Sequence, residues 1–333
     1  MKPIAVISIL SIFFAIFLIG IIHPPAGSEK NFSKLDIPNG ISFNEITERV
    51  YLSGLVKSKL SFKIFSLLSG RAHRFQAGSY SFDNPPSVNE LTKILISGPK
   101  EISVTIFPGM TLKEIDDLLS ELKIIGPNEL VNYNNKLISS NFDNLKIQYP
   151  HLSKAKSLEG FLLPDTYFFY ENSGAQIAVE KMLDNFGGQV LPFLKGGGNI
   201  LDTLIIASLL EKEIPDSKER QVAAGIIKKR LKVGMPLQID ATVIYAKCSG
   251  RFLNCPALQK DDYKFDSFYN TYFYAGLPPT PISNPSKNAT IAAQEPRDSQ
   301  YWYYLSDPKT KKTIFSKDLD EHNINRAKYL LLK

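Results

Sequence analysis

Four short segments carry side chains whose types and spacing could do chemistry. In Leu204-Ile205-Ile206-Ala207-Ser208-Leu209-Leu210-Glu211-Lys212-Glu213, Glu211 follows Ser208 and Ala207 by three and four residues and Leu204 by seven, so it continues an apolar helical stripe. A carboxyl group on such a face is desolvated, which penalises the charged form and raises its pKa. A general acid working near neutral pH needs that property. Glu213 stands over Ile206, Leu209 and Leu210, so periodicity does not choose between the two carboxyls. A helix-terminal Glu turned to solvent or to a lysine is the structural alternative.

The other three segments read as walls of a binding site. Residues 158–167 place Glu159, Asp165 and Tyr167 beside aromatic faces, with Gly160 and Pro164 fixing the backbone, a mixture suited to sugars. A loop held by local Asx-type hydrogen bonds has the same composition. In residues 230–245 a helix end and a turn aim Gln238, Asp240 and Thr242 along one side of an extended segment that leads to Tyr245. Tyr269-Asn270-Thr271-Tyr272 precedes two proline-rich stretches, 276–279 and 281–285, stiff enough for a ligand-lining wall or for a loop packed on itself.

Other chemistries are excluded by what is missing. There is no Gly-x-Ser-x-Gly elbow, phosphate-binding loop ending in Gly-Lys-Ser/Thr, or His-Glu-x-x-His segment. Two cysteines and four scattered histidines cannot build a Cys/His zinc cluster, and neither a metal nor a cofactor is expected. Lys+Arg 39 against Asp+Glu 33 gives a net charge of +6, with no basic run of the kind found in nucleic-acid arms. Hydrophobic residues at 44% and charged residues at 22% describe a folded, globular chain.

The elements that must position these segments are punctuated clearly. Residues 201–213 predict an apolar helix stopped by Pro215; Asp216 or Ser217 caps the next one, which runs to about Lys232 with Gly234 as its stop signal. Ser87/Glu90 and Thr111/Glu114 have capping-box spacing, each after a strand-like stretch at 75–82 or 102–106. Residues 41–68 fit two helices. A strand at 301–306 has its hairpin partner at 313–316. Residues 3–22 form twenty uncharged residues, as a helix about 30 Å long, the thickness of a bilayer core. That length favours a retained signal anchor over a cleaved peptide. Cys248 and Cys255, with six residues between them, could close a disulfide loop in an oxidising compartment, or be two buried thiols.

Taken together and in this order, the four segments resemble the YceG-like (MltG) endolytic murein transglycosylases. The resemblance spans nearly the whole chain, including the apolar N-terminal run and a part similar to the carbohydrate-binding LysM fold. It implies an α+β architecture: a transmembrane anchor (1–23), a linker (24–42), a small LysM-like α/β subdomain (43–107) and a larger mixed α/β catalytic domain (108–333). It further implies a single-pass inner-membrane enzyme whose catalytic domain faces the periplasm or outer wall space. Such an enzyme cuts the MurNAc-β-1,4-GlcNAc bond inside glycan strands and leaves 1,6-anhydroMurNAc ends, terminating strand elongation beside peptidoglycan synthases. By resemblance Glu211 is the acid, with Gln238, Asp240, Thr242, Tyr245, Asn270, Tyr272, Glu159 and Asp165 around the sugars, and no nucleic-acid partner. One departure is Thr280, where members often carry glycine after the two prolines. The competing readings are a catalytically silent peptidoglycan-binding scaffold and a hydrolase that uses Asp240 or Glu213 as second carboxylate.

Overall fold

The structure is a computed structural model and describes residues 33–331 apart from 83, 141–142 and 195–198. Two compact units make up the chain, Met1–Ile102 with Phe168–Asn172 and Ser103–Tyr167 with Ser173–Lys333. Among the described residues no helix is long and apolar enough to cross a membrane, and the apolar run 3–22 lies outside them.

The first unit follows the order β1 (Ser33–Ile37), α1 (Phe43–Leu52), α2 (Lys59–Leu68), β2 (Gly78–Phe82) and α3 (Val88–Ser97). Strands β1 and β2 pair antiparallel with Leu35 opposite Tyr80, and the two helices lie between them in sequence. Leu35, Ile37, Val50, Phe62, Tyr80, Leu91 and Leu95 form a buried core, against which the rings of Phe43 and Phe75 flank Phe62 at 6.4 and 5.8 Å. Helix α3 begins with the expected Ser87/Glu90 capping box, and α1 has another at Ser42/Glu45. The stretch expected as linker therefore contains β1. Its alternation is only Leu35 and Ile37 among polar residues, too short a pattern to stand out from the Pro/Gly/Ser-rich sequence before it.

In the second unit, α4 (Leu112–Glu121) starts at the predicted Thr111/Glu114 box and is followed by α5 (Glu129–Ser139), α6 (Asp143–Gln148) and α7 (Ala175–Gln189). Helix α8 (Ile200–Glu213) is buried along nearly its whole length, from Thr203 to Leu210. It packs against α9 (Ser217–Lys232), capped by Asp216, and α11 (Lys287–Gln294), capped by Ser286. The shared core is Ile206, Leu209, Leu210, Ala223, Ile227, Ile282, Ala289 and Ala293. Alanines let the helices approach, and Gly225 on α9 goes further: a side chain there would run into the backbone carbonyl of Arg297. The hairpin of β5 (Tyr303–Ser306) and β6 (Thr313–Ser316) forms as the sequence predicts, Tyr303 opposite Ser316. Strands β3 (Glu101–Thr105) and β4 (Thr166–Tyr170) pair, and the division between the units runs through both.

Candidate active site

Successive residues on a helix point about 100° apart, so the end of α8 sends Glu211, Lys212 and Glu213 into three different surroundings. Glu211 turns towards α9 and α11. Arg220 donates to it at 2.7 Å, the backbone N–H of Ser286 at 2.8 Å and the Ser286 hydroxyl at 2.5 Å. Both partners of the ion pair are nearly sealed from water, at 9% and 8% exposure. Arg220 also donates to the carbonyl of Ile214, just past the end of α8. The Glu211 carboxylate thus joins the ends of three helices, and the groups that meet it are donors.

Lys212 lies over the ring of Phe252, 3.5 Å from its centroid, where burial pulls its pKa down. It lines a cavity of about 790 Å³ with Pro108, Met110, Leu118 and Phe252.

Glu213 faces the start of α10 (Asp240–Lys247). The residue is partly exposed, yet its carboxyl is desolvated and sits near the Asp240 charge, and these two effects push its pKa up to about 7. Among the described residues its hydrogen-bond donor is the Ala241 N–H at 3.4 Å, a weak partner. Asp240 accepts from the Tyr272 hydroxyl at 2.6 Å, and the Tyr263 ring meets Tyr272 edge-on at 4.7 Å. Burial and the Glu213 charge hold the Tyr304 hydroxyl protonated well beyond its usual range. The hydroxyl of Ser306 on β5 donates to the carbonyl of Glu213, so the hairpin fixes the end of the helix that carries the carboxyl.

The remaining predicted residues divide by what they touch. Asp240 does not continue an extended segment; it opens helix α10, so Thr242 turns to a different side from Asp240. Thr242 is fully buried, donating to Ile239 O and sharing a hydrogen bond with the Thr271 hydroxyl. Asn270 is equally buried, its amide donating to the carbonyls of Tyr263 and Phe265 and its oxygen accepting from Tyr272 N–H. Both are wholly buried, with their polar atoms taken up by these bonds. Gln238 is exposed in the left-handed region at φ 55° and anchored through its N–H to Thr271 O, so its side chain is open to solvent.

Glu159 and Asp165 belong to the frame. Glu159 accepts from Leu112 N–H at the start of α4, from Asn284 Nδ2 and from the Tyr245 hydroxyl. Burial raises its pKa to about 8. With Tyr245 and Tyr269 it lines a cavity of about 320 Å³. Asn284 closes the same network: its oxygen accepts from Gly160 and Leu162 N–H, and its amide also donates to Met110 O. Gly160, at φ +89°, packs so closely on Pro281 that any side chain would strike the proline ring. Asp165 is exposed and holds Thr166 N–H and the Asn185 amide. Arg220, Asn284, Ser286 and Tyr304 stand out by no local spacing. Arg220 is a lone arginine nine residues past Glu211 across a proline, and only the helix turn brings the two together.

Cys248 and Cys255 are joined as a disulfide, with Cα atoms 5.9 Å apart. The loop they close lies on α4: Glu114 accepts from Phe252 and Leu253 N–H, and Arg251 pairs with Asp117 at 2.9 Å.

This frame of buried helices, with a protonatable carboxyl at the end of the most buried one, matches known proteins along almost its full length. A model of the YceG-like family covers residues 35–328, and the chain belongs to that family. It is similar to the endolytic murein transglycosylase of Bacillus subtilis, 29% identical over 95% of this chain and 91% of that one. To the endolytic murein transglycosylase of Streptococcus pneumoniae it is 27% identical over 92% of this chain and 60% of that one. The crystal structure of a yceG-like protein from Listeria monocytogenes superposes with a TM-score of 0.59 at 27% identity, covering 89% of this chain and all of that one.

Proposed function

We propose that this chain is an endolytic lytic transglycosylase of peptidoglycan, and that Glu213 is its general acid and base. Family membership and the activity for which the relatives are named support the reaction. One observation carries the assignment of the acid: of the two carboxyls at the end of α8, Glu213 is the one that, among the described residues, meets no cation and only a weak donor, the Ala241 N–H at 3.4 Å, with the Asp240 charge beside it. Glu211, the acid by resemblance, has its carboxylate committed to Arg220 and Ser286.

A protonated Glu213 donates its proton to the oxygen of the departing GlcNAc as the C1–O bond of MurNAc breaks. The C6 hydroxyl of the same MurNAc then attacks C1, and its proton passes to the Glu213 carboxylate. The acid is restored and no water is consumed. Because the nucleophile belongs to the substrate, its effective concentration supplies up to about 7–11 kcal/mol of the barrier, and one carboxyl suffices. Asp240, held by Tyr272, supplies negative charge beside the positive charge that develops at C1. In this reading Gln238 and Tyr272 meet the sugars, and Tyr245 lines a cavity with Glu159 and Tyr269. The run 3–22 anchors the chain in the inner (plasma) membrane with its two units outside. The first unit, LysM-like in its β-α-α-β order, holds glycan, and a peptidoglycan synthase is the partner that strand termination calls for.

The test is mass spectrometry of products from the detergent-solubilised full chain given uncrosslinked glycan strands. Products lighter than hydrolytic ones by one water, lost in Glu213→Gln, are the expected result, with turnover down about 10²–10⁴-fold. Reducing-end products would instead make the enzyme a hydrolase with Asp240 as second carboxylate. Full activity in Glu213→Gln, lost in a stably folded Glu211→Gln, would return the acid role to Glu211.

A further inference from the structure

The first unit carries a surface that its core does not explain. On α2, Leu60, Leu67 and Leu68 are 65%, 51% and 81% exposed, and Leu52 at the end of α1 is 73% exposed. Leu60, half-buried Ile64, Leu67 and Leu68 fall at i, i+4, i+7 and i+8, one continuous stripe. The opposite side of the helix, Phe62 and Ser66, is buried. Lys59 and Lys63 border the stripe along one edge by the same spacing.

The charge in this stretch of sequence is positive, and of the lysines bordering the stripe Lys59 pairs with Glu48 at 2.6 Å. Between Glu48 and Asp83 the sequence has no acidic residue and carries Arg49, Lys57, Lys59, Lys63, Arg71 and Arg74. That excess equals the +6 of the whole chain, so the rest of the molecule balances to zero. Lys57, Lys63 and Arg74 have no ion-pair partner among the described residues. An amphipathic helix with a leucine face and a lysine border fits the boundary between headgroups and acyl chains of an anionic bilayer. The chain supplies such a bilayer nearby: Ile22 ends the apolar run and Ser33 opens β1, so eleven residue steps hold the unit within about 40 Å of the membrane surface.

We propose that α2 and the end of α1 dock on the anionic lipid surface of the membrane that anchors the chain, with Leu60, Leu67 and Leu68 entering the interface. This rests on residues 3–22 being the anchor. Docking there sets the orientation of the first unit on the membrane and takes this face away from glycan.

The test uses the full chain in nanodiscs of phosphatidylglycerol and phosphatidylcholine, spin-labelled through Leu67→Cys, with Ile147→Cys as a control. Ile147 lies in the second unit, is apolar and is 82% exposed. The native cysteines are bonded to one another, so only the introduced thiol takes the label. At position 67 collision with oxygen over a water-soluble nickel chelate is expected to exceed that at 147 severalfold. Adding Lys57→Glu and Lys63→Glu should abolish the difference. A chain that does not co-elute with discs would overturn the anchor and the proposal with it. A chain that co-elutes with position 67 as water-exposed as 147 overturns docking alone. So does shielding that appears only with a second protein, or that survives the charge reversal.

Discussion

Glu211 and Glu213 sit two residues apart on one helix and differ in what meets their carboxyls, so neutralising each should have opposite consequences. Glu211→Gln strands the Arg220 guanidinium in a site almost closed to water, and breaking a buried pair by one partner costs about 3–5 kcal/mol. The variant's urea midpoint should fall by a corresponding amount; an unchanged midpoint would show that the pair holds nothing together. Glu213→Gln removes a carboxyl that burial already disfavours as an anion, so its midpoint at neutral pH should stay level or rise. Because Glu213 must be protonated to act, turnover should decline as pH climbs through about 7. A rate still rising well into the alkaline range contradicts that role. Glu159 makes a separate prediction about stability. Its pKa is about 8 in the folded chain against an ordinary 4.5, so both states are protonated at low pH, where its contribution is fully present. As pH rises from about 4.5 to about 8 the unfolded chain ionises first and that stability is lost, with no further change above. A glutamine there can still accept from Leu112 and Asn284, so Glu159→Gln should keep the fold and flatten this decline in urea midpoints taken across the range.

At the scale of elements, what was readable in the sequence is what is local. Helix α8 announces itself by an apolar run with a proline behind it, α9 by Asp216, α3 and α4 by their capping boxes, and the β5–β6 hairpin by its alternation and turn. Strand β1 was hidden because two apolar residues are no pattern. Helix α10 looks extended in the sequence because Gly234 and Pro236 advertise a turn, while the helix that Asp240 begins runs only to Lys247. The candidate site was legible as segments and illegible as a geometry. Periodicity placed both glutamates on α8, but which one meets Arg220 depends on residues far along the chain, Ser286 among them. The disulfide loop is the element whose contribution can be isolated. Closing a loop this short should stabilise the fold by about 2–3 kcal/mol through the unfolded chain. Glu114 and Asp117 hold the same loop by hydrogen bonds and an ion pair. Replacing both cysteines by serine should therefore lower the melting temperature and leave glycan cleavage within about twofold. A collapse of activity at a temperature where the variant is still folded would make the loop part of the catalytic machinery.

Over the whole molecule, the two units have separate cores and should respond separately to damage. The first is built on Leu35, Val50, Phe62, Leu91 and Leu95, the second on α8, α9 and α11, and the residues of one cluster are absent from the other. Phe62 is wholly buried between Phe43 and Phe75. Truncating it to alanine removes a ring that the neighbours cannot replace, a loss of about 3–5 kcal/mol for a phenylalanine so placed. If the cores are independent, hydrogen exchange should accelerate across α1, α2, β2 and α3 while the amides of α8 and α9 exchange as in the unaltered chain. Cleavage of short soluble glycan fragments, which needs only the Glu213 site, should survive, and cleavage of long strands should suffer if the first unit holds glycan. Acceleration spread evenly through both units would mean that the chain unfolds as one cooperative body. The chain crosses between the units within β3 and again at both ends of residues 168–172, so Phe168–Asn172 would report first: their amides should quicken with the first unit and not with the helices that follow them in sequence.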